Sequence, residues 1–136
     1  MISENLNCIL SIHSSFYIHP ERFQLHGSNL CIQFIILCKK DIHTCEIYLF
    51  RNHPEGTFDV ILMDIMMPEM NGYEAAKAIR AMNDRPDGKN IPIIAMTANS
   101  FAEDVQASLD AGMNAHLSKP IVIDEVIKTI LRYVYN

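Results

Sequence analysis

Four consecutive apolar residues, Val60, Ile61, Leu62 and Met63, end abruptly in a carboxylate, Asp64. The run is too short for a helix of its own. An unbroken apolar stretch bounded by Asp59 and Asp64 suits a central parallel strand covered on both faces. Asp64 then stands at the strand's carboxyl end, where open α/β sheets bind their ligands, and is a candidate reactive group delivered by a rigid element. Pro68 restricts the loop that follows, and Asn71 and Gly72 open a helix.

The elements after Asp64 follow from capping and turn chemistry. Asn71 with Glu74 three residues on has the pattern of a capping box, and Ala75, Ala76, Ile79 and Met82 fall on one face of the helix it opens. The span from Asn83 to Asn90, with Pro86 and Gly88, reads as a polar loop, and Ile91 to Met96 as the next strand, ended by Thr97. Ser100 and Glu103 repeat the capping-box pattern, so a helix is expected to about Ala111 with Gly112 as its C′ residue. A short strand over Ala115 to Leu117 leads to Lys119-Pro120. A last helix starts at Asp124, with Val126, Ile127, Ile130, Leu131 and Val134 along one side. Strand alternating with helix in this way is the pattern of a parallel sheet.

Three separated motifs carry a resemblance: the stretch from Asp64 to Gly72, the stretch from Ile93 to Ala98, and Ser118-Lys119-Pro120. In order and spacing they resemble the receiver domain of two-component response regulators and hybrid histidine kinases, from about Phe50 to the C-terminus. The stretches Ala98 to Glu103 and Asn114 to His116 are similar to the hybrid-kinase kind. The resemblance implies a receiver-like (flavodoxin-like) parallel sheet flanked by helices, as a single domain over 1–136 in which 50–136 is the recognisable part. It implies that Asp64 accepts a phosphoryl group from a histidine kinase or histidine phosphotransfer protein, that Thr97 and Lys119 hold the phosphoryl oxygens, and that His116 occupies the switch position on the last strand. The Lys119-Pro120 bond is expected to be cis, a geometry that only X-Pro bonds adopt cheaply. Mg²⁺ is the expected cofactor, held by Asp64, the backbone carbonyl of Met66 and an acidic pair at the end of the first strand.

That acidic pair is missing where it is expected. Counting back from Asp64 by the family's spacing reaches Ile18-His19-Pro20-Glu21, where only Glu21 is acidic. Residues 1–49 are an atypical segment: they hold no alanine or valine but all four cysteines and four of the six histidines, whereas ten alanines follow Phe50. They are a diverged half-domain, a replaced one, or the product of a frame error upstream. Their apolar runs, Cys8 to Ile12, Leu30 to Leu37 and Glu46 to Phe50, have the composition of short strands. Cys31, Cys38 and Cys45 recur every seven residues, but the intervening residues read as strand. The histidines lack the tight ligand pairs of zinc sites.

Bulk properties exclude several classes. At 136 residues the chain fits one domain with a real core. A net charge of −5 with no basic cluster beyond Lys39-Lys40 argues against direct nucleic-acid binding. The longest apolar run, Leu30 to Cys38, falls well short of the ~20 residues of a membrane span, and the N-terminus carries Glu4 and no basic n-region, so the expected location is the cytoplasm with no membrane contact. Cysteines without CxxC pairing read as free thiols. No second carboxylate or histidine is placed to activate water beside Asp64, which argues against a hydrolase, and the chain is expected to be no enzyme beyond a self-phosphorylating receiver. Two functions stand: a phosphorelay receiver, or a degenerate receiver acting as a phosphorylation-independent protein-interaction domain.

Overall fold

The computed structural model describes residues 21–24, 31–37, 46–66, 71–98 and 101–135. Among these residues five strands form one sheet in the order β1-β2-β3-β4-β5: β1 Glu21–Gln24, β2 Cys31–Leu37, β3 Val60–Asp64, β4 Ile93–Thr97 and β5 Ala115–Ser118. The last four run parallel, while β1 pairs antiparallel with β2 at the edge. Four helices accompany them: α1 Glu46–Asn52, α2 Gly72–Arg80, α3 Ala102–Asp110 and α4 Ile123–Val134, with a 3-10 turn at Pro86–Lys89.

The period-2 alternation of β3 sorts its side chains into two cores. Ile61 and Met63 join Ile93 and Ala95 beneath Phe50 of α1 and Ala75, Ala76 and Ile79 of α2. Val60 and Leu62 join Ile94, Met96 and Leu117 beneath Val126 and Ile130 of α4. Every residue of β3 and β4 is buried, which is why both read as unbroken apolar runs. The alanines of α2 bring it close to the sheet, and each fully buried Ile, Leu or Phe contributes about 1.5–3 kcal/mol.

The caps are partly as expected. Asn71 Oδ1 accepts from the Glu74 amide at 2.9 Å and Glu74 Oε2 accepts from the Asn71 amide at 3.1 Å, a complete capping box. Gly112, at φ +86°, closes α3. Its amide donates to the Leu109 carbonyl, and that of Met113 to the Ser108 carbonyl, the two bonds of a Schellman motif. The start of α3 differs from the reading above. Its N-cap is Phe101, with no side-chain cap hydrogen bond, and Ser100 lies outside the described residues.

Two expectations for the first part of the chain are corrected. Glu46 to Phe50 is helical, not a strand. Phe50, buried beside Phe58 and beneath the Arg85 guanidinium, and Ile47, three residues earlier, turn the same way into the core; tertiary packing overrides the strand-like composition. The strand beside β3 is Cys31–Leu37, with Leu37 opposite Met63, so it does not end near Glu21, which instead opens β1. The count back assumed the family's usual spacing, which this chain does not keep. The expected strand at Cys8 to Ile12, and Cys38 to Asp41 after β2, lie outside the described residues.

Candidate functional site

Asp64 is the last residue of β3, 8% exposed, at the carboxyl edge of the parallel sheet. The residue that follows is pinned at both backbone groups: the Ile65 amide donates to the Met96 carbonyl at 3.1 Å and the Gly72 amide to the Ile65 carbonyl at 3.1 Å. Gly72 is glycine because a Cβ there would stand 2.5 Å from the Asp64 carbonyl oxygen, so the start of α2 is packed directly onto the backbone of Asp64.

Each carboxylate oxygen has a partner. Oδ1 accepts from the Met66 amide at 3.1 Å, and Oδ2 accepts from Lys119 Nζ at 3.0 Å. Lys119 follows the end of β5, two strands away, and spans β4 to reach the carboxylate; its own amide donates to the Thr97 carbonyl at 2.7 Å. The Lys119-Pro120 bond is cis, as the resemblance implied. Thr97, buried, ends β4 between the two charged groups, opposite Ser118 in the register. His116 sits two residues back on β5, opposite Ala95 and partly exposed.

The structure therefore brings Asp64, Thr97 and Lys119 to one edge and leaves His116 a step below it. The reading from sequence assigned Met66 only its carbonyl and missed its amide. The signal was available, because an Asp side chain commonly accepts from the amide two residues on. Of the donors for a divalent cation expected from the sequence, Asp64 and the Met66 carbonyl lie among the described residues, and no group of three or more His, Cys, Asp or Glu side chains among those residues could hold a metal. A carboxylate and a carbonyl are oxygen donors of the kind Mg²⁺ takes together with phosphate and waters, and they would hold part of its octahedral shell.

Comparison with known proteins decides the family. The model of the response regulator receiver domain matches residues 45–131. The chain belongs to the response regulator receiver domain family. The receiver is 44% identical over 73 residues to Probable histidine kinase 2 of Oryza sativa subsp. indica, covering 54% of this chain and 7% of that protein. Against the sensor histidine kinase RcsC of Escherichia coli K12 it is 38% identical over 85 residues, 62% of this chain and 8% of that protein. The chain thus spans less than a tenth of the length of these relatives. Among solved structures it matches the receiver domain of the sensor histidine kinase PA1611 of Pseudomonas aeruginosa PAO1, with a TM-score of 0.56 and 34% identity over 66% of this chain and 69% of that one; a magnesium ion is coordinated in that protein's active-site cleft. The homologues are receivers of hybrid histidine kinases, and the parallel strands flanked by helices are theirs.

Beyond Asp64, two arginines hold the frame. Arg85 is buried, with its guanidinium 4.1 Å over the Phe50 ring. It donates through Nε and Nη2 to both oxygens of Asp87, at 2.9 and 2.7 Å, and through Nη1 to the His53 carbonyl at 2.7 Å. Those bonds hold the Asp87 carboxyl below its ordinary value. Arg80 donates to the carbonyls of Gly88, Ile91 and Gly112 and to Asn114 Oδ1, and burial lowers its pKa. Asn114 Oδ1 also accepts from the Ile93 amide, so Arg80 ties α2 to the start of β4 and β5.

Proposed function

We propose that this receiver takes a phosphoryl group onto Asp64 from a phosphohistidine of a histidine kinase or phosphotransfer protein and changes its protein contacts as a result. The observation that carries the reading is the Lys119 Nζ to Asp64 Oδ2 contact at 3.0 Å, with the buried Thr97 ending the strand between them. A carboxylate is a competent nucleophile toward activated phosphorus. An Asp64 oxygen attacks the phosphorus, the phosphorus–nitrogen bond breaks with its electron pair returning to the imidazole, and an acyl phosphate remains. In the loose transition state charge spreads over the equatorial oxygens, so catalysis is positioning and electrostatics.

Lys119 supplies the cation. Its side chain is partly solvent-accessible and can follow the charge from the carboxylate to the phosphoryl oxygens, while the Met66 amide keeps Oδ1 oriented. Thr97 offers a hydroxyl from the next strand. The new charge, roughly two negative units at a strand end, would draw Thr97 and Lys119 inward and bias α3 and the face toward His116. The unit acts as one domain over 1–136, in the cytoplasm, as a signalling module and not an enzyme. No helix among the described residues is long and apolar enough to cross a membrane.

A second reading, a phosphorylation-independent interaction domain, is favoured by the acidic pair missing from its expected position and by the few metal donors among the described residues. The two separate by the chemistry of the adduct. Incubation with acetyl phosphate, with and without Mg²⁺, should give a hydroxylamine-labile phosphoryl group that is absent from Asp64→Asn. A chain that melts cooperatively and takes no label under either condition supports the second reading.

A further inference from the structure

Five methionines fall among the described residues, and the fold treats one of them differently. Met63, Met82, Met96 and Met113 lie inside the two cores, none more than 9% exposed. Met66 is 75% exposed. The difference follows from position: Met63 and Met96 belong to strands whose every residue is buried, whereas Met66 stands two residues past the end of β3. Oxidation of a thioether follows its access to solvent, so this sulfur is the one open to it.

The same residue also orients the Asp64 carboxylate. Its amide donates to Oδ1 at 3.1 Å, so the exposed sulfur and the donor that fixes the carboxylate share one residue. The other oxygen, Oδ2, is held by Lys119, whose side chain is 39% exposed and free to follow charge at this edge.

Resting for its effect on the phosphorelay reading above, we propose that Met66 is a peroxide-modified site: its thioether takes an oxygen ahead of the buried methionines, and the resulting sulfoxide slows phosphoryl transfer to Asp64. The step is a two-electron oxidation. A sulfur lone pair attacks one oxygen of the peroxide, the O–O bond breaks, an S=O bond forms, and the other oxygen takes the proton and leaves as water. An apolar, polarisable side chain thereby becomes a polar one. Its new oxygen is a strong acceptor with partial negative charge, placed at the edge where phosphorylation adds roughly two further negative units. Both draw on the Lys119 ammonium, so the sulfoxide opposes the phosphoryl group. A methionine sulfoxide reductase with a dithiol reverses the change, the oxygen leaving as water and the dithiol closing to a disulfide.

The test is to oxidise the folded chain with hydrogen peroxide, return its cysteines to thiols with dithiothreitol, which leaves a sulfoxide in place, and map the oxygen by fragment mass spectrometry. Met66 should react about tenfold or more faster than Met63, Met82, Met96 and Met113. The oxidised chain should keep its melting curve, since Met66 belongs to neither core. It should take label from acetyl phosphate and Mg²⁺ about threefold or more slowly, and methionine sulfoxide reductases should restore the rate. Met66→Leu, whatever its own rate, should label equally fast before and after peroxide, which assigns the effect to this sulfur and not to Met67 or Met70. An unreacted Met66, a Met66 sulfoxide that labels as fast as the thioether, or a slowing that survives in Met66→Leu, each overturns the proposal. If the unoxidised chain takes no label, the phosphorelay reading falls and the effect on transfer with it, while the map of sulfoxides still decides the site.

Discussion

Lys119 Nζ lies 3.0 Å from Asp64 Oδ2 although 55 residues separate them in the chain. The pair spans three strand ends and joins the two motifs that the rest of the receiver half is folded to bring together. At ~4 Å and an effective dielectric of ~20 two unit charges attract by about 4 kcal/mol before desolvation, enough to bias a loop between two positions.

Removing the cation should separate chemistry from stability. Lys119→Met is expected to slow phosphoryl labelling of Asp64 by about 10²-fold, the usual loss when one transition-state donor is removed. The melting curve should change little, since a partly exposed ion pair is worth ~1 kcal/mol or less. A quench time course and a thermal melt on the same variant check both. A large loss of stability with labelling intact would mean that Lys119 is a structural residue.

Gly72 tests how closely the acceptor depends on α2. A Cβ at this position would meet backbone on β3, 2.5 Å from the Asp64 carbonyl oxygen and 2.9 Å from Ile65 Cα, so the helix start has to move. Gly72→Ala should cost about 1–3 kcal/mol in urea unfolding, the range for overpacked sites. It should also slow labelling of Asp64, because the displaced backbone carries the carboxylate.

Arg85 has no role at the acceptor, yet its loss should be the more damaging. Truncation to Ala would leave Asp87 without its bidentate partner, Phe50 without its cation and the His53 carbonyl without its donor. Breaking a buried pair in this way typically costs about 3–5 kcal/mol. Arg85→Lys should recover only part of the urea midpoint, since an ammonium cannot reproduce the planar fork.

The acid limb of stability follows from the same pair. The Arg85 hydrogen bonds depress the folded-state pKa of Asp87 below its ordinary 3.8, so this carboxylate stabilises the fold at every pH above that value. As pH falls below 3.8 and through the lower folded-state value, the contribution is lost. Asp87→Asn should therefore be less stable than the parent at pH 7, with the gap closing below pH 4. A gap that is constant from pH 7 to pH 2 would show that the carboxylate's charge plays no part.

Much of the receiver half was legible because local and tertiary preferences agree there. Val60 to Met63, Asn71 with Glu74, Gly112 and Lys119-Pro120 each do in the structure what their residue types favour in isolation. Glu46 to Phe50 did not, since Ile, Tyr, Leu and Phe in a row look like a strand until Phe50 finds Arg85, 35 positions later. Arg80 was invisible for a similar reason: its acceptors come from 8, 11, 32 and 34 residues away, and nothing adjacent in sequence marks it. Leu30 to Leu37 reads as a strand and is the one beside β3, whereas the count back from Asp64 for the acidic pair reached Glu21, which opens the antiparallel β1, because this chain's first part does not keep the family's spacing. The caps show a finer limit, since Ser100 with Glu103 has the right pattern but α3 begins from Phe101.

The central claim is that Asp64 accepts a phosphoryl group, and intact-mass spectrometry after incubation with acetyl phosphate and Mg²⁺, with Asp64→Asn as the control, tests it most directly. The expected result is one phosphoryl adduct on the parent chain, removed by hydroxylamine and missing from the variant. A cooperatively folded parent with no adduct, or an adduct that persists in Asp64→Asn, would contradict it.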